Sequence, residues 1–182
     1  MAVFGATLGR LQAQGAAFEL ILPTMPHLEE AVSQAVKSWP VQPRIVVGEV
    51  DKKAAFRLAH AALVKSGTVT LELALAGVPM VAAYRAGAVE AWIMRRAIRT
   101  SSVILANLVI GENVVPEFIQ EDCTAEKLAP ALREILSDSP LRRRQIEAFS
   151  KMDAIMSTGN QPPSVRAADI VLATLRKARG SN

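Results

Sequence analysis

Apolar positions along this chain fall into short blocks that switch between two spacings. "AVFGATLGRLQAQG", at the start, places Val3, Phe4, Leu8 and Leu11 on roughly one side of a helix. "AFELILP" (17–23) is a continuous apolar run of strand length, "HLEEAVSQAVKSW" (27–39) returns to helical spacing, and "PRIVVGE" (43–49) is strand-like again. The alternation continues with a helix over 51–63, a strand around Leu63 and Val64, a strand over 79–85, a helix over 88–99 and a strand over 102–108. Segments 125–138, 140–156 and 164–179 read as closing helices.

Strands that alternate with helices at this spacing predict a parallel sheet, because parallel strands need a crossover and a helix is the compact one. The predicted fold is therefore α/β and Rossmann-like, with helices on both faces of the sheet. The first helix begins at once, with no capping residue or preceding strand, which predicts a piece of a longer protein or a gene start placed inside a domain.

One junction carries candidate chemistry. In "LVKSGTVTLELALAGVPMVAAYR" (63–85), an apolar run stops at Lys65, Ser66-Gly67-Thr68 follow, and an amphipathic segment runs to Gly77-Val78-Pro79 before the next strand. Ligands of open parallel sheets bind beyond the carboxyl ends of the strands, where turns lead into helix N-termini. Unpaired N–H groups, the positive end of the helix dipole and the Ser66 and Thr68 hydroxyls suit a phosphate there, and Gly67 permits close approach. The competing reading is plain structure, with Thr68 as an N-cap. Neither the P-loop lysine pattern nor the dinucleotide glycine pattern is present. Glu72, one turn into an otherwise apolar helix, offers a carboxylate that can accept two hydroxyl hydrogen bonds from a ribose. Its alternative role is a solvated partner of the helix dipole.

Composition narrows the class. The 182 residues are 51% apolar and 21% charged, with a net charge of +4 and one cysteine, Cys123. This describes a globular chain that favours an anionic partner, in a reducing compartment. Aromatic residues are only 4% of the chain and no nucleic-acid motif occurs, so nucleic acid is not expected as a partner. His27 and His60 are too isolated to suggest a metal site. No apolar run reaches the length of a membrane span and no leader is evident, which predicts a cytoplasmic chain. Within 88–99, Val89, Trp92, Ile93, Arg95, Arg96, Ile98 and Arg99 have the composition of an interfacial helix, or of a core-facing helix that exposes its arginines.

Two segments together, "SGTVTLELALAGVPMVAAYR" and "ILANLVIGENVVPEFIQEDCTAEKLA" (104–129), resemble the C-terminal half of the lipid-A-disaccharide synthase family, inverting glycosyltransferases of the GT-B type. The resemblance implies a donor-binding domain over 1–156 and a crossover or exchanged helix over 157–182. It implies an enzyme that joins UDP-diacylglucosamine to diacylglucosamine 1-phosphate and releases UDP. No cofactor is implied, the UDP-sugar being a substrate. A homodimer and peripheral contact with the cytoplasmic face of the inner membrane are implied as well.

By the same resemblance Ser66, Gly67 and Thr68 lie at the donor diphosphate and Glu72 at the ribose. Tyr84 and Arg85 match an aromatic-basic pair at the next strand end, Asn107 matches an asparagine, and Gln120 and Glu121 match a Gln-Glu pair. Ala106 replaces the usual proline, and Glu112-Asn113 stands where many members carry Arg-Glu, which removes a basic contact after Gly111. Asn107 is equally readable as a turn former bonded to nearby backbone, Arg85 as a solvated cation, and 120–122 as a polar link to an N-cap at Thr124. No catalytic base is assigned in this chain. Other UDP-sugar enzymes of the same fold, such as a UDP-N-acetylglucosamine epimerase, and a non-catalytic nucleotide-binding or oligomerisation module are the alternatives.

Overall fold

The computed structural model describes residues 2–85, 87, 102–157 and 162–179. Its elements run in the order α1 (Ala2–Ala13), β1 (Ile21–Thr24), α2 (Glu29–Val36), β2 (Arg44–Val47), α3 (Glu49–Leu58), β3 (Ala62–Lys65), α4 (Val69–Leu75) and β4 (Met80–Tyr84). Then follow α5 (Leu105–Ile110), β5 (Glu117–Ile119), α6 (Ala125–Leu136), α7 (Pro140–Ser150), α8 (Met152–Met156) and α9 (Pro163–Arg179). All the strand pairs are parallel: β1 lies beside β2, and β4 lies between β3 and β5.

The predicted α/β, Rossmann-like fold is what forms, and β4 shows why both faces must be covered. Its side chains alternate between two buried clusters. Met80 and Ala82 meet Leu73 and Ala74 of α4, Ala106 of α5 and Phe149 of α7. Val81 and Ala83 meet Leu8 and Leu11 of α1 and Leu128, Leu132 and Ile135 of α6. Leu22 of β1 and Ile45 of β2 pack against this second cluster, so one core serves both sheets. In α1, Gly5 and Gly9 have Trp39 and Pro40 where a side chain would stand: a Cβ on Gly5 would come within 2.6 Å of the indole.

The strand expected over 102–108 does not form. Leu105–Ile110 is helical, closed by Gly111 in the left-handed region at φ 81°, and the third strand of the sheet is Glu117–Ile119. A short apolar run fits a buried helix as well as a buried strand, and here the glycine that ends it was the deciding signal. The single helix expected over 140–156 is two, α7 and α8, parted at Lys151, and the remaining differences lie at element ends. Pro26–Leu28 is a 3-10 turn ahead of α2, and α3 stops at Leu58, before the strand that the expected helix over 51–63 would have overrun. At the end of α4, Gly77 adopts φ 70° and its N–H donates to Ala74 O at 3.0 Å, while Val78 N–H donates to Leu73 O at 2.9 Å. That closure turns the chain into β4. The helix expected over 88–99 lies outside the described residues.

Contacts divide the chain into 1–152 and 153–182. In the second unit α9 leaves Val165, Ile170, Val171, Leu172 and Leu175 exposed. Among the described residues no helix is long and apolar enough to cross a membrane.

A buried amide joins α7 to the sheet. β5 pairs with β4 only from Ala82 onward, so the side of Met80 that faces β5 has no strand partner. Gln145, fully buried, takes that place: its Nε2 donates to Met80 O at 3.0 Å and its Oε1 accepts from Met80 N–H at 2.8 Å. Gln145→Leu strands two buried backbone groups, and urea denaturation should show a loss of about 3 kcal/mol.

Candidate site at the carboxyl edge of the sheet

Three parallel strands end almost level with one another. Lys65 of β3 pairs with Ala83, and Tyr84 of β4 pairs with Ile119, the last residue of β5. Ser66-Gly67-Thr68, Arg85 and Gln120-Glu121 therefore leave the sheet at the same edge. Three of the sequence-predicted segments, far apart in the chain, are brought together by strand register alone.

The Ser66-Gly67-Thr68 turn is held from both sides. Ser66 N–H donates to Ala83 O at 3.1 Å, and the Ser66 hydroxyl donates to Val103 O at 2.9 Å. Gly67 O accepts from the Thr70 hydroxyl at 2.8 Å. Thr68 occupies the N-cap position of α4, but its own backbone is already helical and its hydroxyl makes no capping bond. Among the described residues no acceptor takes the Gly67 or Thr68 N–H, and nothing lies within 4 Å of where a Gly67 side chain would start. Among the described residues the turn thus offers two backbone donors without an acceptor. The Ser66 hydroxyl, expected to donate to a phosphate, already gives its proton to Val103.

Glu72 is half-exposed on α4 and ion-paired. Lys52 of α3 reaches it at 2.8 Å and Glu49 at 2.9 Å. The ammonium is held above its ordinary pKa of 10.5, first by the hydrogen bond to Glu72 and then by the one to Glu49. Sequence reading missed Lys52. Its spacing of three from Glu49 was visible, but Glu72 is 20 positions away and meets it only through the fold.

Asn107 sits apart from this open turn. It is buried, and its side chain is fully engaged: Nδ2 donates to Val115 O at 3.0 Å and to Glu117 Oε1 at 2.8 Å, and Oδ1 accepts from the N–H groups of Val114 at 3.1 Å and Val115 at 2.9 Å. This is the backbone-bonded arrangement weighed for it from sequence. Glu117, which sequence reading passed over, also accepts from the Ser102 hydroxyl and, at 3.1 Å, from Val103 N–H.

The remaining predicted residues line the strand ends. Lys65 Nζ lies 5.4 Å from the centre of the Tyr84 ring, within cation–π range. Arg85 is exposed. Burial pushes the Cys123 thiol up, and the Arg85 guanidinium partly opposes this. Gln120 takes φ 53°, the one positive value among described non-glycine residues, at the point where β5 turns into the Gln120–Asp122 3-10 turn. Thr124 occupies the N-cap position of α6 without a side-chain cap bond. Glu112, at the position where the resemblance expects a basic residue, lies 3.3 Å from Arg144 on α7.

A parallel sheet covered on both faces, with its polar segments gathered at one carboxyl edge, defines a Rossmann-like domain. Comparison with known proteins makes this specific: the chain belongs to the lipid-A-disaccharide synthetase family, whose model matches residues 1–171. A lipid-A-disaccharide synthase of Bradyrhizobium diazoefficiens is 74% identical over 177 residues, which cover 97% of this chain and 45% of that one. One of Nitrobacter hamburgensis is 72% identical, over 99% of this chain and 46% of its own. The enzyme of Rhodospirillum centenum is 42% identical, over 96% and 43%. The chain spans about half the length of the curated relatives it matches.

The Lys52 pair has a pH signature. Because folding raises the Lys52 pKa above 10.5, the stabilisation it provides is complete below that value and is lost as pH climbs through the raised one. Lys52→Met should therefore be less stable than the parent at neutral pH in urea, and the gap should close in strongly alkaline buffer.

Proposed function

We propose that this chain is the donor-binding half of a glycosyltransferase that joins UDP-diacylglucosamine to diacylglucosamine 1-phosphate and releases UDP. The observation that carries this reading is the convergence of the Ser66-Gly67-Thr68, Arg85 and Gln120-Glu121 segments on one sheet edge, in a member of a family whose relatives are named for that synthesis. The free N–H groups of Gly67 and Thr68 and the Arg85 guanidinium face the demand of the reaction, which is to stabilise the departing diphosphate. Glu72 receives the ribose hydroxyls, with Lys52 fixing its carboxylate, and Gln120 and Glu121 border the sugar-nucleotide from β5. The UDP-sugar is substrate, and the reading requires no cofactor. Deprotonation of the acceptor hydroxyl is the work of a base on the part of the longer relatives that this chain does not match.

The exposed apolar side chains of α9 support assembly as a homodimer, and the arginine-rich, apolar composition of 88–99 supports peripheral attachment to the cytoplasmic face of the inner membrane.

UDP should raise the melting temperature of the chain, and Glu72→Ala should weaken UDP binding by about 1 to 3 kcal/mol, the range for hydrogen bonds to a charged group. The chain alone should transfer no sugar. Absence of any saturable UDP effect would remove the donor-binding reading, and turnover by the chain alone would remove the division of labour.

A further inference from the structure

The edge of the sheet contains a charged group that no predicted role uses. Glu117 opens β5, yet its carboxylate turns back toward the loop that precedes α5. Oε1 accepts from the Ser102 hydroxyl and from Asn107 Nδ2 at 2.8 Å, and Oε2 accepts from Val103 N–H at 3.1 Å. Ser102 is buried, and its oxygen also accepts from Ile104 N–H at 2.9 Å. Val103 is thereby held at both poles of its backbone. Its N–H goes to Glu117, and its carbonyl takes the Ser66 hydroxyl at 2.9 Å. A continuous line of hydrogen bonds thus runs from the first residue of β5, through Val103, to the first residue of the turn after β3.

We propose that Glu117 is a positioning residue for the nucleotide-binding turn, acting through Val103 on Ser66. This rests on the functional reading above for the ligand, but not for the linkage itself. The chemistry favours a carboxylate at this point. Three donors converge on it, and a carboxylate is the side chain that only accepts. An amide of the same shape would turn an NH2 toward at least one of those donors, which leaves that donor unpaired. Ser66 then becomes the receiving end of the line. With its proton committed to Val103, its contribution is to fix the direction in which the Gly67 and Thr68 N–H groups point. Orientation of donors by a supporting group matters to binding, since a misaligned N–H bond weakens steeply.

The test is a double-mutant cycle on the 182-residue chain with Glu117→Gln, Ser66→Ala and the pair. UDP affinity by calorimetry and the amide resonances of Gly67 and Thr68 in the unliganded chain are read for each. Each single variant should weaken UDP binding about tenfold and shift both amide resonances. The double variant should be no worse than the weaker single one, because both act on one line. Glu117→Asp, which keeps the acceptors, should recover part of the loss. Additive losses, or unchanged Gly67 and Thr68 resonances in a folded Glu117→Gln chain, would overturn the proposal. If the parent chain does not bind UDP, the ligand reading fails while the resonances still decide the linkage. If Glu117→Gln does not fold, Ser102→Ala takes its place, and displaced Gly67 and Thr68 resonances that Ser66→Ala makes insensitive to it are the supporting result.

Discussion

β4 is the strand on which the rest of this chain depends. Every position from Val78 to Ala83 is buried, with β3 along one edge, β5 and the Gln145 amide along the other, and a helical layer on each face. A central parallel strand has no solvent face, so its sequence is apolar without alternation. The small side chains of Ala82 and Ala83 let the layers approach closely. The level ending of β3, β4 and β5 follows from pairing to this one strand, and the gathering of the candidate site residues at one edge follows from the level ending. A slip of β4 by one residue would exchange its two clusters and misplace the turn after β3.

How far the fold was legible in the sequence can be judged from particular elements. The helix-strand alternation around β3, α4 and β4 was readable because Lys65-Ser66-Gly67 and Gly77-Val78-Pro79 punctuate it, and both sets act through local backbone chemistry. The segment 102–119 was not. Its apolar run matched a strand, but Gly111 closes a helix and the true strand is only three residues long, behind Pro116. Gly111 marks the end of that helix, but the loop beyond it is held by the Asn107 side chain, which takes up backbone groups eight positions later. No local pattern announces such a contact.

The candidate site divides in the same way. Residues of the turn could be named from spacing and from the family resemblance, because a turn is a local object. Their supports could not. Lys52 serves Glu72 from another helix, and Val103 serves Ser66 across 37 positions. Asn107 shows a different case, since a residue matched to a family motif has its side chain bonded within its own loop, the alternative that the sequence also offered. Motif residues and the groups that orient them therefore lie on different scales of the chain, and only the first scale is written in short stretches of sequence.

β5 also bears on how copies of this chain can meet. As the terminal strand of its sheet among the described residues it would be the natural place for another strand to add, yet it is followed at once by Gln120, whose positive φ bends the chain away. Its three residues leave too short a ladder for a foreign strand to register on, and Glu117 sets a charge at its first rung. Sheet extension is disfavoured at this end of the sheet, whatever the other strand edges allow.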